Sequence, residues 1–177
     1  MKFKIRCILF FSLIVASKST QAQDAGASPW SQMKSIEASI VVPVFKNKSY
    51  NVLDYGAIPD GETDNTKVLN KVIWMCSNAG GGRVIVPAGK YLSGPINLQN
   101  NVNLHLAEGV EILFSTNPKD YPIVHTSFEG TEVMNFSPLV YAYQKKNVAL
   151  TGKGVLNGQA TNENWWFYSK IGIIVKR

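Results

Sequence analysis

Several groups of side chains have types and spacings that could do chemistry. In "DGETD", Asp60, Glu62 and Asp64 crowd three carboxylates together, as a calcium loop would. The stretch lacks that loop's alternating oxygen ligands and terminal Glu, so it reads as a turn followed by a helix cap. Gly80, Gly81 and Gly82 with Lys90 suggest a phosphate cradle, yet Tyr91 follows the lysine and Val84 stands where the first glycine is required. His105 and His125, the only histidines, have no Cys or carboxylate at ligand spacing and are expected at solvated surface positions. Glu108 with Glu111 and Glu129 with Glu132 pair carboxylic acids, but three-residue spacing in a corner or loop does not hold two carboxyls across a cleft. Trp165 and Trp166 could stack on sugar rings, although packing against a core is the expected role. Asn47 and Asn135 head glycosylation sequons that matter only in a glycosylating pathway.

These residues need elements to hold them. "YNVLDYGAIPDGETDNTKVLNKVIWMCSNAGGGRVIVPAGKY" reads as strand, turn, helix, turn, strand. Thr63 or Asp64 is placed to cap a helix over residues 64–78, and Val68, Leu69, Val72, Ile73 and Cys76 recur along one face. The three glycines end it, because glycine tolerates the left-handed conformation that closes a helix. Cys76 is expected to be a small buried hydrophobe.

From Arg83 the period becomes two. Val84 and Val86, Ile96 and Leu98, Val102, Leu104 and Leu106, then Val110, Ile112 and Phe114 alternate with the polar Asn97, Asn103, His105 and Glu111. After an irregular stretch, short strands resume at Leu139 to Tyr143, Val148 to Leu150, and Val155 with Leu156. "NVNLHL" with "VEILF" recurs as "NVALTG" with "GVLNG" about 45 residues on, which favours repeating coils over a sandwich. A solenoid of this kind needs capped ends, and the amphipathic helix suits the N-terminal one. Residues 23–47 read as a tail or linker ending in a short edge segment, "IVVPVF", which Pro43 excludes from a central strand.

The first 22 residues have the charged start, ten-residue apolar core and small-residue cut site of a secretory signal. Its removal leaves 14 Lys and Arg against 12 Asp and Glu, so the net charge drops from +6 to +2. No basic cluster remains for nucleic acid, and no later apolar run approaches the roughly 20 residues of a membrane helix. Cys76 alone survives cleavage, so a secreted or periplasmic chain would hold its core by packing without a disulfide.

Residues 49 to 167, carrying "NVLDYGAIPDGETDNTKVLNKVI", "GGGRVIVPAGKYLSGPINLQNNVNLHLAEGVEILFS" and "SPLVYAYQKKNVALTGKGVLNGQATNENWW", resemble the N-terminal part of polygalacturonases, glycoside hydrolase family 28. The resemblance implies an all-β, right-handed parallel β-helix, here its first few coils with the helix as cap. It implies a secreted enzyme hydrolysing α-1,4-galacturonosyl bonds of pectin with inversion, acting as a monomer without metal or cofactor. The family's Asn-Thr-Asp, Asp-Asp, Gly-His-Gly and Arg-Ile-Lys motifs are absent from this sequence. No catalytic or substrate-binding residue carries over, and residues 48–177 are expected to be an incomplete, inactive part of such a domain. A non-catalytic carbohydrate-binding or structural β-helix module is the alternative, as is a pectate-lyase-like protein, for which the acidic calcium cluster is missing.

Overall fold

The computed structural model describes residues 29–166 and divides at Val42/Pro43 into two units. In the first, a 3-10 turn at Pro29–Gln32 runs into α1 (Met33–Ser39), which buries no side chain. The expected tail is therefore helical here, over a stretch free of Gly and Pro after its first residue. The expected edge strand at residues 40–45 does not form, and Val41, Val42 and Val44 stay exposed. Pro43 offers no amide proton to a ladder.

The second unit begins with β1 (Ser49–Asn51), a 3-10 turn at Val52–Tyr55, β2 (Asp60–Asp64) and α2 (Thr66–Asn78). Then come β3 (Gly82–Val86), β4 (Gly89–Ser93), β5 (Ile96–Asn97), β6 (Val102–Leu106) and β7 (Val110–Phe114). An antiparallel pair, β8 (Ile123–Phe128) and β9 (Thr131–Phe136), precedes β10 (Val140–Tyr141), β11 (Ala149–Gly152) and β12 (Val155–Asn157).

Two-residue connections, Pro87–Ala88 and Gly94–Pro95, separate β3 from β4 and β4 from β5. They are too short for a crossover helix, so each strand turns a corner into a different sheet. The chain winds instead, and parallel sheets stack in the orders β1-β3-β6-β11, β2-β4-β7-β12 and β5-β10. Register is continuous from rung to rung: Val84 faces Leu104, which faces Leu150, while Tyr91 faces Ile112, which faces Leu156. Inward residues of the first rungs are fully enclosed, among them Val84, Val86, Tyr91, Val102, Ile112 and Phe114. The architecture is a parallel β-helix.

Helix α2 lies over this core with Leu69, Val72, Ile73 and Cys76 buried and Val68 partly so, matching the apolar face read from the sequence. Polar bonds tie it to the coil. Asn70 Nδ2 donates to the Pro95 carbonyl (2.9 Å), Asn70 Oδ1 accepts the Asn97 amide (2.7 Å), and Ser77 Oγ donates to the Asn100 carbonyl (2.9 Å). Gly80 and Gly81 both take left-handed backbone after the helix, and the Gly81 amide closes onto the Cys76 carbonyl.

The expected cap is only half met. Asp64 accepts the Thr66 amide (2.8 Å), but Thr63 turns its hydroxyl to Asp60. The N-cap residue is Asn65, whose amide group instead staples the preceding loop. It accepts from the Ile58 amide and donates to the Ile58 and Thr63 carbonyls, at 2.7 to 2.9 Å.

The irregular stretch after Phe114 proves to hold the β8–β9 hairpin. Glu129 and Gly130 both have positive φ, 50° and 82°, the backbone that a tight primed turn requires. This insertion explains the 45-residue repeat. Gly82 meets Val102 twenty residues on, whereas Asn103 meets Ala149 forty-six residues on, so the longer interval is one rung plus the hairpin and its flanks.

Candidate functional site

The outward faces of the coils carry the polar side chains, and rung-to-rung register decides which of them meet. On the first sheet Thr151 stands opposite His105. Its hydroxyl donates to Asn103 Oδ1 (2.8 Å) and lies 2.9 Å from His105 Nδ1. A hydroxyl has one proton, so with that spent on Asn103 the threonine oxygen accepts from Nδ1–H of His105. His105, expected at a solvated position, is half-buried in this ladder, and Asn103, a polar alternate of the strand, is 5% exposed and bonded to Thr151.

On the second sheet Glu111 sits between Lys90 Nζ (3.4 Å) and Asn157 Nδ2 (2.9 Å). The Asn157 hydrogen bond first, then Lys90, holds its carboxyl below the ordinary value. Glu108 pairs instead with Lys153 at 3.1 Å, both exposed, a contact worth under about 1 kcal/mol. The two glutamates are thus each committed to partners of their own rather than to each other.

"DGETD" is strand β2, paired with β4 across an irregularity between Asp60 and Asp64. Asp60 accepts the Thr63 hydroxyl (2.6 Å) and the amides of Glu62 and Thr63 (2.8 Å each). These bonds, the hydroxyl foremost, pull its pKa down to about 2. The carboxylate is engaged in folding the turn. Among the described residues no group of three His, Cys, Asp or Glu is placed to hold a metal ion.

A cleft of about 250 Å³ opens where α2 starts, lined by Asp64, Thr66, Lys67, Ser93, Ser115 and Asp120. Asp64 receives the Thr66 hydroxyl, Asp120 receives the Ser115 hydroxyl, and Thr66 Oγ1 accepts the Gly94 amide (2.5 Å). This grouping went unread in the sequence, although Asn117 before Pro118 is a turn signal that places Asp120 near Ser115.

His125 and Glu132 meet across the hairpin, Nε2 to Oε2 3.5 Å, with the histidine half-buried rather than solvated; Glu129 occupies the turn. Asn47 and Asn135 are exposed, and Cys76 is buried, which pushes its thiol pKa up. The side chains of Trp165 and Trp166 lie outside the described residues, as does the proposed signal at 1–22.

A family model described as rhamnogalacturonase A/epimerase, pectate lyase-like, matches residues 49–168. The chain belongs to this family. Over 119 residues it is 33% identical to the exo-poly-alpha-D-galacturonosidase of Dickeya chrysanthemi, covering 63% of this chain and 19% of that protein. A mannuronan C5-epimerase of Azotobacter vinelandii is 30% identical over 65% of this chain and 13% of its own length. Among solved structures, an exopolygalacturonase from Thermotoga maritima superposes with a TM-score of 0.74 at 44% identity, covering 77% of this chain and 31% of that one. The chain thus spans from about an eighth to under a third of the length of these relatives. The resemblance to polygalacturonases stands, and with it the right-handed parallel β-helix.

Proposed function

We propose that residues 49–166 form the cap and early coils of an exported polygalacturonase-type glycoside hydrolase acting on α-1,4-linked galacturonan, and that its hydrolytic carboxylates lie outside them. The observation carrying this reading is the 44% identity to an exopolygalacturonase over most of the chain. The local chemistry supports it. Inverting hydrolysis needs an acid and a base about 6.5 to 9.5 Å apart on opposite faces of the sugar bond. Asp60, Asp64 and Asp120 are instead each engaged with a neighbour in their own turn, and Glu111 with Asn157 on the adjacent rung. The likeness to a mannuronan epimerase agrees with this division of labour, since a shared cap and coil leave the chemistry to other residues.

The test is to incubate the purified 177-residue chain with polygalacturonate and measure new reducing ends. No turnover is expected, and clear turnover would overturn the proposal that the carboxylates lie elsewhere. Reading the DNA beyond codon 177 in all three frames checks the parent activity. The four motifs missing from this sequence are expected there, and their absence would favour a short binding or structural module.

A further inference from the structure

The β8–β9 hairpin is not needed to wind the coil, because β4 reaches β5 across two residues while β7 reaches β10 only after this insertion. What the insertion accomplishes is local. It sets the His125 ring against Tyr143, centroids 4.9 Å apart and planes tilted by 50°, and Tyr143 in turn lies parallel to Tyr141, 6.4 Å away and 7° out of plane. The Tyr141 hydroxyl donates to the His125 carbonyl (2.7 Å), locking the hairpin onto β10.

Two features are unusual for a cluster that only packs. Tyr143 remains 43% exposed at the centre of the contacts. His125 is held with Nδ1 buried and unpartnered while Nε2 is turned to Glu132, so its orientation costs a buried polar atom its hydration. Flat polar groups adjoin the partly exposed tyrosine: His125, which Glu132 approaches from the other strand of the hairpin, and Gln144, whose Nε2 donates to the Tyr143 hydroxyl at 3.2 Å.

From this we infer that Tyr143, together with His125, Glu132 and Gln144, is a saccharide subsite in which the apolar face of a pyranose ring stacks on the tyrosine. The physical reason is division by polarity. An aromatic face packs against the C–H side of a sugar, and planar carboxylate, amide and imidazole groups at its rim meet the hydroxyls that radiate from the ring edge. The site rests on the proposed polysaccharide reading for its ligand class.

The experiment titrates the 177-residue chain with oligogalacturonate, oligomannuronate and a neutral oligogalactan, reading heat of binding and the histidine ring resonances by NMR. At least one saccharide is expected to bind and to shift the His125 ring signals. Tyr143→Ala is expected to weaken that binding at least about tenfold, with Tyr143→Phe, which keeps the ring, staying within about threefold. Because Tyr143 is substantially exposed, thermal melts of both variants should match the parent. The inference is overturned if no saccharide binds, or if binding is indifferent to Tyr143→Ala and leaves the His125 signals unmoved. Galacturonate binding that ignores Tyr143 would sink the subsite alone. Tyr143-dependent binding that prefers mannuronate would support the subsite and count against pectin as the substrate.

Discussion

At the scale of single residues, Asn65 is the clearest case of a polar side chain whose value lies in its geometry. It is 1% exposed and bridges both backbone groups of Ile58 and the Thr63 carbonyl. Asn65→Ala would remove all three hydrogen bonds together, and about 2 to 4 kcal/mol of stability should be lost in urea unfolding. Asp60 behaves differently because it is exposed. Its folded pKa of about 2 lies below the ordinary value of 3.8, so its contribution is fully present above that value and is lost as pH falls toward 2. Melting temperatures of the parent and Asp60→Asn should therefore differ near neutrality and converge between about pH 4 and pH 2. A gap unchanged by acid would show that the carboxylate's charge is irrelevant to the turn. The turn was legible in "DGETD", but the role of Asn65 was not, since Ile58 lies seven positions away and only the folded loop brings the two together.

At the scale of elements, α2 was the most legible part of the chain because one helical period records which side faces the core. Leu69 and its neighbours are buried as their spacing requires, whereas Trp74 points away at 59% exposure. Leu69→Ala should cost about 2 to 5 kcal/mol, and Trp74→Ala within about 0.5 kcal/mol, by the same denaturant measurement. Strand edges impose a second constraint. Gly152 has φ +107° and passes so close to the Leu106 backbone that a Cβ would strike its carbonyl. Gly152→Ala should destabilise by more than about 1 kcal/mol, chiefly by pushing β11 off β6. The hairpin escaped the sequence reading for the opposite reason. Its alternation is diluted by Ser, Thr and Glu on both faces, and its turn has Glu where Asn or Asp is the usual companion of glycine.

At the scale of the whole molecule, identical chemistry has different worth on different rungs. Leu104 and Leu150 occupy the same column of the first sheet, yet they are 1% and 41% exposed. Leu104→Ala should cost about 2 to 5 kcal/mol and Leu150→Ala less than half as much, because only the former leaves a closed cavity. Equal losses would mean that the β11 rung is covered in solution. The same stacking turns isolated charges into ladders, as with Lys90, Glu111 and Asn157 on three successive rungs. Residues separated by 21 and 46 positions in the chain become neighbours only through winding.

The sequence by itself determined the helix face, the two-residue period, the coiled architecture and the family resemblance, because all of these rest on local periodicity or on contiguous motifs. It also determined that the carboxylate motifs expected of such a hydrolase are absent from these 177 residues. Tertiary structure alone decided that Glu111 is a rung partner, that Asn103 is bonded to Thr151, and that His125 lies against Tyr143 on an inserted hairpin. Those outcomes depend on register between strands twenty to forty-six residues apart and on where an insertion folds back. No local pattern encodes them, since each side chain's partner is set by how many residues every intervening corner consumes.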